Sequence, residues 1–186
     1  MAPRIKVTRD DIIEAAIRII RMDEGHSINA RAIAAILDCS TQPIFSNFGS
    51  MGDLRLAVLQ RAYEIYQEYV EREIDSGSYP AYKATGIAYI KFAKEERCLF
   101  KFLFMRDRSD EGVSGEDELD GSVLDMVRDN TGLDVESARF FHFEIWMYVH
   151  GIATLFATNY LDIDMDLVSK MITDMYLGLR KQHGLE

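Results

Sequence analysis

Cysteine is scarce in this chain: of 186 residues only Cys39 and Cys98 carry a thiol, and they stand far apart in no metal-ligand spacing. That argues against a disulfide framework and a structural zinc site, and leaves the reduced thiols expected of a cytoplasmic protein. Proline is also scarce, with Pro43 and Pro80 the only ones beyond the first few residues, so long helices can run unbroken. No stretch alternates polar and apolar residues long enough to suggest a strand. The longest apolar run, Phe140 to Ala157, contains His142, Glu144 and His150, which favours a buried helix over a membrane span. The opening Met1-Ala2-Pro3-Arg4-Ile5-Lys6 has no apolar signal core, so secretion is not expected. No Ser-His-Asp, Cys-His or paired-carboxylate pattern is readable, and no cofactor motif, so the chain reads as a non-enzyme without a cofactor. His142 and His150 are eight residues apart with no supporting ligand pair, so no metal is expected either.

What is present is a globular composition, 48% apolar and 28% charged, with a formal net charge of −10. The charge is unevenly spread. Residues 1–61 hold eight Lys/Arg against seven Asp/Glu, and the remainder hold thirteen against twenty-four. Because phosphate contacts need only a local basic surface, the acidic total does not exclude a nucleic-acid partner.

Apolar residues at three-and-four spacing predict an all-α chain of about nine helices. Thr8 with Asp11 caps a first helix, Thr8 to Met22, closed by Gly25. Asn29 caps a second, Ala30 to Leu37. Leu37-Asp38-Cys39-Ser40 makes a turn with Asp38 suited to the left-handed conformation. Ser40 is expected to cap a third helix, with Pro43 in its first turn. Ser50 and Asp53 open a long helix to about Ile74. After the Ser76-Gly77-Ser78-Tyr79 break come a helix started by Pro80 and running to about Ala93 and another over Cys98 to Met105. The acidic, glycine-containing stretch 107–120 is expected to be a mobile solvated loop. Leu119 to Thr131 is helical and ends at Gly132; Asp134 and Asp164 cap the last two helices.

Three short helices with a tight turn before the third make a helix-turn-helix unit, whose third helix enters the major groove. Gln42 and Asn47 suit paired hydrogen bonds to adenine, and the Thr41 methyl suits a thymine methyl. Pro43 fixes the helix start. Arg4, Lys6 and Arg9 form a basic arm able to reach phosphate or the minor groove; a solubilising tail is the plainer alternative. In the second half Phe92, Phe100, Phe104, Phe141, Trp146, Tyr148 and His150 supply an aromatic surface with polar tips, as in a pocket for a flat or lipophilic ligand, although such residues also build ordinary cores. Glu144 in an apolar helix needs a partner, for which Arg139 or a ligand amine are candidates.

The run Ile33-Ala34-Ala35-Ile36-Leu37-Asp38-Cys39-Ser40-Thr41-Gln42-Pro43-Ile44-Phe45-Ser46-Asn47-Phe48-Gly49-Ser50-Met51-Gly52-Asp53-Leu54 resembles the signature of the TetR (tetracycline-repressor) family. That signature is Ile-Ala, a turn ending in Ser, a recognition helix ending aromatic-x-x-Phe, and a helix opening Ser-x-x-acid-Leu. Trp146-Met147-Tyr148-Val149-His150-Gly151 resembles a Trp-x-x-x-His-Gly segment of the family's ligand-binding half. The resemblance implies a helix-turn-helix DNA-binding domain over 1–50 and a ligand-binding and dimerisation domain over 51–186. It implies a homodimer through the last two helices, a double-stranded, palindromic DNA operator, and repression relieved by a small-molecule effector, aromatic or lipophilic here. Three positions depart from the family pattern. Phe45 replaces the usual phosphate-binding Tyr, Met51 replaces a phosphate-binding Lys, and Asn47 stands where His is common. Positioning on DNA would then lean on Arg4, Lys6, Arg9, Arg31 and Arg55. The alternative is a protein of this fold with a weakened DNA surface that works as a protein-interaction module.

Overall fold

Thr8 opens the structure with a reciprocal cap. Its backbone N–H donates to Asp11 Oδ2 at 2.8 Å and the Asp11 N–H donates back to Thr8 Oγ1 at 3.1 Å, satisfying two donors that a helix start leaves bare. The Thr8 hydroxyl also donates to Asp11 Oδ2 at 2.6 Å, and this bond, with that from the Thr8 N–H, holds the Asp11 carboxyl below the usual carboxylate range. The computed structural model describes residues 7–22, 28–107 and 121–185. Arg4, Lys6, Gly25 and all of the acidic stretch except Asp107 lie outside the described residues.

Among the described residues there are nine helices and no strand: α1 Arg9–Met22, α2 Ala30–Ile36, α3 Gln42–Asn47, α4 Met51–Asp75, α5 Ala81–Glu95, α6 Arg97–Phe104, α7 Gly121–Thr131, α8 Val135–Ala157 and α9 Met165–Gln182. The all-α expectation holds. Asn29 Oδ1 accepts from the Ala32 N–H at 2.9 Å, the Ser50 hydroxyl accepts from the Asp53 N–H at 3.1 Å, and Asp134 Oδ1 accepts from the Ser137 N–H at 2.9 Å. Asp164 caps α9 in the same way. Asp38 sits at φ 48° and Gly132 at φ 71°, the left-handed corners that end α2 and α7.

Contacts divide the chain into two units. One comprises residues up to Gln67 with Glu96–Met105; the other comprises Glu68–Glu95 and residues from Arg106 on. In the first unit α1 packs on α2, α3 and α6. Its core is Ile12, Ile17, Ile33, Ile44, Leu54, Val58, Leu99 and Phe100, all without exposed surface; burying each such side chain contributes about 1.5–3 kcal/mol. Arg21 grips Glu96 through two nitrogens, Nε at 2.9 Å and Nη2 at 2.6 Å, and so ties the last turn of α1 to the residue before α6.

In the second unit α5 packs most extensively on α8, and α7 and α9 also pack on α8. Gly86 permits the closeness, since a Cβ there would already touch Val149 Cγ2 at 3.5 Å. Ile87, Ile90, Phe92, Val127, Phe141, Ala153 and Val168 fill the space between these helices. Glu73 is the single buried charged side chain among the described residues, and Lys91 Nζ neutralises it at 2.6 Å. No described helix is long and apolar enough to cross a membrane.

Candidate nucleic-acid interface

The turn Leu37–Ser40 delivers α3 as a rod buried on one side and open on the other. Ile44 and Phe48 are buried at 0% and 4% exposure and anchor it. Gln42, Phe45, Ser46 and Asn47 are exposed, and Thr41 and Pro43 are half-buried. Phe45 leaves 54% of its surface open.

The polar side chains of this rod divide into committed and free. Ser46 Oγ donates to the Gln42 carbonyl at 2.7 Å and Asn47 Nδ2 donates to the Pro43 carbonyl at 2.8 Å. The Gln42 amide has no side-chain bond of its own. Ser46 was not singled out from the sequence; its spacing of four from Gln42 puts it on the same face.

The expected cap at Ser40 needs correction. Thr41 is the N-cap, in helical conformation, and no side chain caps α3. Pro43 supplies the reason, because the second helical position has no N–H to satisfy. The next donor, the Ile44 N–H, already bonds the Thr41 carbonyl at 3.2 Å. Ser40 stays exposed beside the helix.

Three of the candidate phosphate-binding arginines can be placed. Arg9, Arg31 and Arg55 are exposed. The Arg9 guanidinium lies 4.8 Å over the Phe48 ring and that of Arg55 5.6 Å over Phe102, so an aromatic face orients each cation without removing its hydrogen-bond donors from water. Met51 opens α4 half-buried.

The chain aligns with the crystal structure of a TetR-like transcriptional regulator from Rhodococcus sp. RHA1 over 99% of its own length and 100% of the other's, with a TM-score of 0.70 and 18% identity. It has a TetR-like fold. No protein-family model matches the sequence, and no curated protein sequence matches it. The TetR-like fold thus persists at an identity where only the helix pattern and short signatures remain to be read.

Within this TetR-like fold the ligand-binding candidates are divided between the two units. Phe100 and Phe104 belong to the first unit, where their rings are 5.2 Å apart and Tyr66 meets Phe104 edge-on at 5.4 Å. The others belong to the second. Phe92 packs edge-on against Tyr69 at 5.3 Å, and Phe141 against Tyr176 at 5.7 Å. Phe92, Phe100 and Phe141 are fully buried and act as core. Trp146 stacks on His150 at 5.1 Å with the rings 20° apart, and Tyr89 Oη shares a 2.9 Å hydrogen bond with His150 Nδ1. Tyr148 is half-buried nearby in sequence. Burial lowers the basicity of His150. No group of His, Cys, Asp or Glu able to hold a metal is present among the described residues.

Glu144 pairs with His183 and not with Arg139: His183 Nε2 lies 2.8 Å from its Oε2. His183 also meets the Phe141 ring edge-on at 5.3 Å. The sequence offered no signal for this pair, nor for the Tyr89–His150 bond, because these partners stand on other helices.

Proposed function

We propose that the protein is a DNA-binding transcriptional regulator that works as a homodimer on a roughly palindromic operator. The observation that carries this reading is the exposed face of α3, with Gln42, Phe45, Ser46 and Asn47 outward and Ile44 and Phe48 as anchors. A rod of this kind fits the major groove. Thr41, Pro43 and Ser40 border it, and Arg4, Lys6, Arg9, Arg31 and Arg55 are its proposed phosphate partners.

The mate is a second copy of the chain. On α8 Phe140, Phe143 and Met147 are exposed at 58%, 41% and 54%, and on α9 Leu167 and Leu177 are exposed. Gly151 and Gly178 lie on the same two helices, and a Cβ at either would meet nothing within 4 Å. A glycine inside a helix costs about 1 kcal/mol relative to alanine, and the single chain gains no close contact in return. Close approach of a partner helix supplies the reason. Two recognition helices about 34–36 Å apart would meet successive major grooves.

The effector is proposed to be an aromatic or lipophilic small molecule held in the second unit, with Trp146, Tyr148 and His150 as its contacts and repression relieved on binding. Helix α4 starts in one unit and ends in the other, so it is the continuous element through which such a ligand would act. The ligand shifts DNA affinity only by its preference for one of two states.

Selection of fragments from random DNA, followed by mobility-shift titration at several salt concentrations, tests the reading. A steep salt dependence with preference over random DNA is expected, and Gln42→Ala should narrow that preference. Phe45 and Met51 favour a second reading, a protein-interaction module on this fold. Its mark would be a flat salt response and no selected sequence.

A further inference from the structure

We propose that Phe45 reads the methyl group of a thymine in the operator, making the α3 surface a reader of adjacent A·T pairs. The proposal rests on the DNA-binding reading above and names the chemistry of its target. Ser46 and Asn47 each spend a side-chain donor on their own helix, bonding the Gln42 and Pro43 carbonyls at 2.7 and 2.8 Å. The groups left uncommitted on that face are the Gln42 amide and the Phe45 ring. An amide matches the N6 donor and N7 acceptor of adenine. A phenyl ring has no polar match in the major groove, and the one apolar feature there is the thymine C5-methyl.

The spacing agrees. Positions 42 and 45 lie three residues apart on one helix face, a rise of about 4.5 Å, close to the roughly 3.4 Å step between base pairs. Gln42 on an adenine therefore leaves Phe45 over the same or the neighbouring pair. A ring without a hydroxyl cannot bond phosphate, so its 54% exposed surface contributes through apolar contact. Burial of one methyl corresponds to about a fourfold change in affinity.

The test uses the full chain and the operator fragment it selects. Each thymine of a half-site is replaced singly by deoxyuridine, which removes the methyl and nothing else, and affinity is read by fluorescence anisotropy at one salt concentration. One or two positions next to the adenine sensed by Gln42→Ala should lose about fourfold in affinity. In Phe45→Ala those positions should become indifferent to the methyl; in Phe45→Tyr, which keeps the ring, they should stay sensitive. The salt slope should be unchanged in Phe45→Ala, since no charge is lost. Specific binding with every deoxyuridine neutral, or a methyl effect that survives in Phe45→Ala, overturns the proposal and leaves the regulator reading intact. A chain that selects no DNA overturns both.

Discussion

The Tyr82 hydroxyl and Nδ1 of His142 share a 2.9 Å hydrogen bond that joins α5 to α8. Burial pushes the Tyr82 phenol well above its ordinary range, so it keeps its proton. Burial also lowers His142 from 6.5 to about 4, so the imidazole is neutral in the folded chain at neutral pH.

A pH dependence follows with a definite sign. Between pH 6.5 and 4 the unfolded chain takes up a proton that folded His142 refuses, and stability falls as pH drops through that window, by about 2–3 kcal/mol. His150, also lowered by burial, adds in the same direction. Thermal melts from pH 7 to 4 should therefore fall less steeply for His142→Gln than for the unaltered protein. Parallel curves would remove His142 from the account.

The proposed dimer face gives a second prediction. Met147→Glu places a carboxylate on an exposed stripe of α8, so the single chain should fold as before. Desolvating that charge in an apolar interface should weaken association 100-fold or more, on the order of 3 kcal/mol. Light scattering should show the mass halved at micromolar concentration. An unchanged mass would move the interface elsewhere.

The left-handed corner at Asp38, φ 48°, predicts opposite effects for two small substitutions. Asp38→Gly should be neutral or stabilising by up to about 1 kcal/mol, and Asp38→Ala should cost about 1 kcal/mol, since only glycine adopts this conformation freely. Urea denaturation checks the order, and an alanine variant steadier than the glycine one would contradict it.

The Glu73–Lys91 pair predicts strong coupling. Lys91→Met leaves a buried carboxylate uncompensated and should cost about 2 kcal/mol, tempered by the partial exposure of Lys91. Adding Glu73→Gln should recover most of that loss. A double variant no more stable than Lys91→Met would show that the pair contributes little.

The sequence by itself determined the local structure: the caps at Thr8, Asn29, Asp134 and Asp164, the turn at Asp38, and which faces of the helices are apolar. These depend on residues within four positions of each other, where helix geometry makes spacing equivalent to contact. The third helix was legible too, but its uncapped start was not, because a missing N–H at Pro43 changes what the preceding residues must satisfy. Only the tertiary structure decided that α6 packs on α1, that Tyr82 pairs with His142 60 residues away, and that Glu144 pairs with His183 39 residues away. Such pairs are chosen by how helices of similar composition stack. Periodicity says which side of a helix is covered, not which other helix covers it.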